Sequence, residues 1–242
     1  MAPLVGQRVV AAGPGYQSPF GLAEVIDGHV LESVEARGKH LLAAFDNGRI
    51  LHSHLRMTGA WHVYREGEAW NRSPRSAWLA LSANDLVAVQ FGGPVLELLD
   101  PARVALHPAL SNLGPDLLDD DPQIALAVER ARATAPARPV GEVLLDQNVA
   151  AGIGNVVRCE ALYALCIDPW APLGGISDET LAGLFEHSRR TLQAGLRAGG
   201  RLPKVIYGAK RCRRCGGAVS RRGQGNQARA VHWCSACQTL CK

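Results

Sequence analysis

The sequence predicts an α+β protein: an N-terminal β-sandwich, a helical half after it, and a four-cysteine β-hairpin at the C-terminus. Three observations carry this. Short apolar runs broken by turn residues fill the chain from about residue 7 to 100, helical periodicity takes over from about 122 to 198, and two Cys-x-x-Cys pairs lie near the end. With 242 residues, 47% apolar and 20% charged, the chain can bury a real core, which excludes a disordered or fibrous protein. No apolar run reaches the length of a membrane span, and the N-terminus lacks the basic-then-apolar layout of a secretory signal. A soluble cytoplasmic protein is expected.

The sandwich is read from strand candidates at 30–36, 39–45, 50–55, 60–64, 76–81, 86–91 and 95–99. Asp46-Asn47-Gly48-Arg49 sits between the second and third, and its Asn-Gly pair tolerates the positive φ that a tight hairpin needs. From 101 to 122 the pattern dissolves into Pro, Asp and Gly, which reads as a connection. Helix candidates follow at 122–133, 140–146, 155–165 and 177–198, the last with Ser177 as its N-cap. The expected domains are 1–106 for the sandwich, 107–121 for the connection, 122–208 for the helical domain and 209–242 for the finger.

Between two of these helices, Gly152 and Gly154 permit tight turns and leave backbone N–H groups uncovered, while the helix opening at Asn155 adds its positive dipole end. Such a site suits a phosphate, although an ordinary helix–helix turn reads the same way.

Charge is unevenly placed. Residues 201–242 hold ten of the 26 Lys and Arg and no Asp or Glu, leaving the first 200 residues with 16 basic and 22 acidic side chains. A positive tail on an acidic body points to a polyanion, with a solvated basic tail as the plain alternative. The seven cysteines are an odd number in a chain without an export signal, so thiolate chemistry is expected rather than a disulfide framework. Cys212-x-x-Cys215 and Cys234-x-x-Cys237 supply the four thiolates of a closed, structural Zn2+ shell, and Cys241 falls outside that pattern as a free thiol. Paired redox cysteines lack a thioredoxin-like context here. The loop between the knuckles carries Ser220, Arg221, Arg222, Gln224, Asn226, Gln227 and Arg229, donors without an acid among them, which suits a nucleic-acid groove.

These motifs resemble one family. Leu144-Leu145-Asp146-Gln147 followed by Ala151-Gly152-Ile153-Gly154-Asn155 resembles the helix–two-turn–helix of the formamidopyrimidine-DNA glycosylases and endonuclease VIII enzymes. Cys212-Arg213-Arg214-Cys215-Gly216 and His232-Trp233-Cys234-Ser235-Ala236-Cys237-Gln238 resemble their terminal zinc finger, and residues 113–118 their interdomain segment. Arg37-Gly38-Lys39-His40-Leu41-Leu42 and His52-Ser53-His54-Leu55-Arg56-Met57-Thr58-Gly59 resemble their N-terminal sandwich. The likeness covers nearly the whole chain in order and is strongest to the actinobacterial endonuclease VIII-like branch.

The resemblance implies a base-excision-repair DNA glycosylase with AP lyase activity on oxidised bases and abasic sites. Its partner would be damaged double-stranded DNA, bound by a monomer at the nucleoid. Such an enzyme bends DNA, rotates the damaged nucleotide out and props the vacated stack. By resemblance, Met57 is the void-filling wedge, although a Met after a strand also reads as core packing. Lys39, Asn155 and Arg229 would meet on one phosphate track at the lesion, Lys39 and Arg229 also supporting catalysis, with Gly152, Gly154, Gln147 and Tyr207 nearby.

The family's chemistry uses an N-terminal Pro-Glu pair whose proline amine attacks C1′, forms a Schiff base and permits β-elimination. This chain instead begins Met1-Ala2-Pro3-Leu4-Val5-Gly6-Gln7. Residues 4–7 match the segment after the family's first helix, so apolar surface on the sandwich is expected to lie uncovered. Two readings stay open: a true start lies upstream, or the chain binds damaged DNA without chemistry. As written, it is expected to bind DNA and not to excise bases. A third reading, a zinc-ribbon protein of the ribosome or transcription machinery, would favour RNA or intact duplex. The preferred lesion depends on loops around 197–204 and is not legible.

Overall fold

Alternating inward and outward side chains decide the first half of the chain, where each strand can bury only one face. The computed structural model describes all residues except 16, 17, 20 and 240–242. It divides into two units, Met1–Ser111 and Asn112–Lys242.

In the first unit the strands are β1 (Val10–Ala12), β2 (Leu31–Arg37), β3 (His40–Phe45), β4 (Ile50–His54), β5 (Ala60–Arg65), β6 (Ala77–Ala83), β7 (Leu86–Phe91) and β8 (Val95–Leu99), with the short helices α1 (Leu22–Ile26) and α2 (Pro101–Leu106). They form two four-stranded sheets, ordered β1-β6-β7-β5 and β2-β3-β4-β8. Their inner faces share one core, Leu31, Phe45 and Leu51 from one sheet meeting Leu79, Leu81 and Ala88 from the other, with Leu22 and Ile26 of α1 added. The expected sandwich is therefore present. β1, of three residues, is too short to show a period in the sequence, and α1 and α2 are each less than two turns. Asn47-Gly48 makes the expected hairpin turn: Gly48 has φ 74° and the Asn47 side chain accepts from the Arg49 amide at 3.1 Å. Val5 and Val10 are exposed.

The second unit contains α3 (Ile124–Arg132), α4 (Val140–Val143), α5 (Asn155–Ala164), α6 (Asp178–Arg197) and a hairpin of β9 (Ser220–Gln224) and β10 (Arg229–Trp233). The Ser177 side chain accepts from the Thr180 amide at 3.2 Å, making the predicted N-cap, and Asp178 and Glu179 complement the dipole in the first turn. Leu144, Ile153, Val157, Ala161, Leu162, Leu181, Leu184 and Phe185 form the core. α4 stops at Val143, short of the expected 146, because Asp146 accepts from the Asn148 amide at 3.0 Å and turns the chain away from the helix. No helix among the described residues is long and apolar enough to cross a membrane.

The stretch around 113–118 packs within the second unit. The Gly114 amide donates to the Gln147 carbonyl at 2.8 Å, and the Ala151 amide to the Pro115 carbonyl at 2.9 Å. A Cβ on Gly114 would lie 2.4 Å from the Val149 carbonyl oxygen. Gly114→Ala should therefore force a backbone shift and destabilise the second unit by about 1–3 kcal/mol, read as a lower urea midpoint; an unchanged midpoint would show that this close approach is not needed.

Candidate functional site

In the first unit, Gly38 and Lys39 are the two turn residues between β2 and β3, Gly38 taking φ 58° at the position where two-residue hairpins favour glycine. This places Lys39, exposed, at the hairpin tip. The next loop joins β4 to β5. The Gly59 amide donates to the Leu55 carbonyl at 2.9 Å, and a Cβ on Gly59 would lie 2.9 Å from the Gly93 Cα, so the loop closes tightly and Arg56 takes φ 47°. Met57 stands on this closed loop at 87% exposure, so it is not core packing.

Between these two loops lie His40, on β3, and His54, on β4, with rings 4.6 Å apart. Burial, then the neighbours His54, His52, His107 and Lys39, pushes His40 down to about 4. Burial, followed by Arg56 and Lys39, lowers His54. With His40 neutral, the positive charge at this edge comes from Lys39 and Arg56.

In the second unit the glycine turn is held by Gln147, whose side-chain amide donates to the carbonyls of Leu145 at 2.9 Å and Ile153 at 3.0 Å and accepts from the Gly152 amide at 3.1 Å. Gln147 thus acts as an internal staple of the turn. Gly152 needs its freedom, with φ 97°, whereas Gly154 is the N-cap of α5 in extended conformation. Asn155 opens α5, and its Nδ2 donates to the Ala230 carbonyl at 2.8 Å. This bond sets the helix start beside Arg229, which is exposed and held by the Gln227 side chain at 2.9 Å. Tyr207 also lies at the hairpin, its ring 4.6 Å from that of His232. Asn155 and Arg229 are thus brought together in the second unit, with Tyr207 against the same hairpin, while Lys39 and Met57 belong to the first.

Two buried charges missed by sequence reasoning organise this arrangement. Arg158 is 0% exposed and donates to the Gly141 carbonyl at 3.3 Å, the Gln224 side chain at 3.0 Å, the Arg229 carbonyl at 3.3 Å and the Asn155 side chain. One guanidinium thereby ties α5 to α4 and to both hairpin strands. Gln224 in turn donates to the Pro169 carbonyl at 2.8 Å. Glu160, 5% exposed, accepts from the amides of Val205 at 2.9 Å, Ile206 at 3.1 Å and Tyr207 at 2.9 Å. No sequence signal marked them, because the burial of every residue of α5 from 157 to 163, which obliges its charges to be satisfied inside, is created by packing alone.

The four predicted sulfurs, those of Cys212, Cys215, Cys234 and Cys237, lie within 4.8 Å of one another. Cys212 and Cys237 are 3.8 Å apart and Cys215 and Cys234 3.6 Å, contacts far too long for disulfides. Hydrogen bonding with Cys215, then burial and the other sulfurs, raises Cys237, whereas a hydrogen bond with Tyr163 lowers Cys212 to about 6. Four sulfur donors at one point suit a single tetrahedral metal ion. The hairpin borrows its core from α5: Cys159 and Tyr163 pack with Ile206, Val231, Cys212 and Cys234, and Trp170 meets Trp233 edge-on at 4.5 Å. Cys166 is exposed and outside the cluster, and Cys241 lies outside the described residues.

Replacing Arg158 with Ala would leave the buried Gln224 oxygen without its guanidinium donor. The expected loss is at least about 1–3 kcal/mol in the second unit, measured by urea denaturation; a neutral result would deny Arg158 its organising role.

Comparison with known proteins agrees with this architecture. Residues 4–104 match the formamidopyrimidine-DNA glycosylase N-terminal domain, and residues 113–205 the formamidopyrimidine-DNA glycosylase H2TH domain. The chain is 36% identical to a probable endonuclease 8 2 of Streptomyces coelicolor over 228 residues, covering 88% of this chain and 80% of that protein. It is 32% identical to endonuclease 8 1 of Mycobacterium tuberculosis over 272 residues, covering 99% and 97%. Among solved structures, the Lactococcus lactis formamidopyrimidine-DNA glycosylase bound to abasic-site DNA superposes with a TM-score of 0.81 at 22% identity, over 98% of this chain and 94% of that one. On fold, domain matches and relatives alike, the chain belongs to the formamidopyrimidine-DNA glycosylase/endonuclease VIII family.

Proposed function

We propose that this protein acts in base-excision repair as a DNA glycosylase and AP lyase, engaging damaged double-stranded DNA at oxidised bases and abasic sites. The observation that carries the reading is the junction of Asn155 and Arg229. A helix N-terminus, a glycine turn stapled by Gln147 and an arginine on a donor-rich hairpin stand together, which is what a phosphate needs: amide donors, a positive dipole end and a cation. The family relationship supplies the substrate class.

The chemistry gives each residue a task. A base inside a duplex is out of reach, so the nucleotide must rotate out and the gap must be filled. Met57 suits the filling role because it is an apolar, unbranched side chain already held out in solvent by a closed loop, so inserting it removes apolar surface from water. Lys39, at its hairpin tip, and Arg229 supply phosphate contacts, with a supporting role in strand cleavage. The turn at Gly152 presents the amides of Gly154 and Asn155 to the phosphate, and Tyr207 braces the hairpin through His232.

The metal is assigned as one structural Zn2+ held by Cys212, Cys215, Cys234 and Cys237. Zinc–sulfur bonds of about 2.3 Å in a tetrahedron put sulfurs about 3.8 Å apart, close to the 3.8 and 3.6 Å found. The ion would fix the hairpin and leave no coordination position for substrate. The protein is assigned as a monomer in the bacterial cytoplasm, associated with the nucleoid.

Binding should favour a duplex with an abasic site over an intact one, and Met57→Ala should reduce that preference on the order of tenfold. Equal affinity for both duplexes, or tighter binding to RNA, would end the repair reading. Arg229→Ala should weaken binding and lower the salt slope by about one. Borohydride trapping on abasic DNA tests the chemistry directly: an imine between a protein amine and C1′ is reduced to a stable adduct. An adduct from the 242-residue chain supports the lyase, whereas retained selective binding without one supports a damage-recognition protein. Stripping the metal from the four-cysteine cluster with a strong chelator should unfold the hairpin and abolish DNA binding; a metal-free hairpin that stays folded would contradict the zinc assignment.

A further inference from the structure

We propose that the first unit carries a second metal site, separate from the four-cysteine cluster, in which His52, Glu97 and His107 bind a first-row transition-metal dication such as Zn2+. The three ligand atoms lie within 4.8 Å of one another. The His52 Nδ1 is 2.9 Å from Glu97 Oε1, and the His107 Nε2 is 3.2 Å from the same oxygen. Donor separations near 3 Å are those of ligands around one small cation at bond lengths of about 2.0–2.2 Å.

The fold builds this set from backbone geometry. His52 of β4 and Glu97 of β8 are directly paired across the sheet, so their side chains leave the same face. β8 runs at once into α2, whose N-cap Asp100 accepts from the Arg103 amide at 2.8 Å, and His107 is the first residue past that helix. The short helix returns His107 to the sheet, its ring 4.9 Å from that of His52. His52 is 1% exposed, while Glu97 and His107 keep side-chain exposures of 41% and 20%. The site thus has a rigid inner ligand and a solvent side from which an ion enters and where water completes the shell.

His40 supplies the outer support. Its Nδ1 is 2.8 Å from the far ring nitrogen of His52, Nε2. A metal on His52 Nδ1 leaves the proton on Nε2, which donates to His40 Nδ1, fixing tautomer and ring orientation as outer-shell partners of ligating imidazoles do. Two imidazoles and one carboxylate select zinc, iron, cobalt, nickel or copper over magnesium and calcium, which prefer all-oxygen shells.

The same atoms also share protons. The Ala109 amide donates to His107 Nδ1 at 3.2 Å, which leaves the ring proton on Nε2, facing Glu97. Coordination moves that proton to Nδ1 and releases the exposed Ala109 amide to solvent, with no net loss of protons from either neutral ring. The exchange gives the site a spectroscopic signature of its own.

The full-length chain, loaded with Zn2+ and passed through gel filtration, should retain about two equivalents, one in the four-thiolate shell and one here. His107→Ala and Glu97→Gln, at the two ligands less enclosed than His52, should retain about one. His40→Ala should weaken the second equivalent about 10- to 100-fold in calorimetric titration. In an amide NMR titration with Zn2+, the Ala109 resonance should shift in the wild type and stay fixed in His107→Ala. A single equivalent in the wild-type chain, or a second one that survives both of these substitutions, would overturn the site.

Discussion

The second unit depends on a guanidinium placed where water cannot reach it. Among the described residues no salt bridge is formed by Arg158; its acceptors are carbonyls and amide oxygens from α4, from the start of α5 and from both hairpin strands. Burying a cation is costly, and that cost falls only when all these acceptors converge at once. The hairpin must sit against α5, Gln224 must turn inward, and Gly141 must stay bare, since a Cβ there would lie 2.5 Å from the Gln224 oxygen. The four cysteines and the guanidinium work from opposite ends of the hairpin, one at its base and the other at the end that carries Gln224 and Arg229. The apolar residues between them belong mostly to α5 and the preceding loop, so the finger is an extension of the helical core.

Much of this was legible in the chain. Strand positions followed from alternation, the long helix from its period and Ser177, and the thiolate cluster from two short spacings. The glycine turn was legible as a turn, and Asn155 as the residue that opens a helix. What escaped was what tertiary packing alone creates. Arg158 and Glu160 look in sequence like ordinary polar positions of a helix, and nothing local says that the helix is covered all round. Gln147 looked like a group facing a ligand, yet its amide lies folded back on three backbone groups of its own turn. β1, α1 and α2 are too short for a period to show.

Met57 illustrates how the backbone can override a side chain's preference. An unbranched apolar residue would ordinarily bury itself, but the approach of Gly59 to Gly93 and the left-handed Arg56 leave the loop no inward path. The exposed side chain sits on a loop closed by two glycines, Gly59 two residues on and Gly93 from a distant part of the chain.

Glu160 also sets where the chain is free to change. Its carboxylate clasps three successive amides from Val205 onward, so the approach to Tyr207 and the hairpin is anchored independently of what comes before. Upstream, Gly199 and Gly200 both take left-handed conformations after α6, and Leu202 rests against Gly195. Between those moorings a change of side chain leaves both anchor points intact, so the hairpin's place does not depend on what that short segment carries.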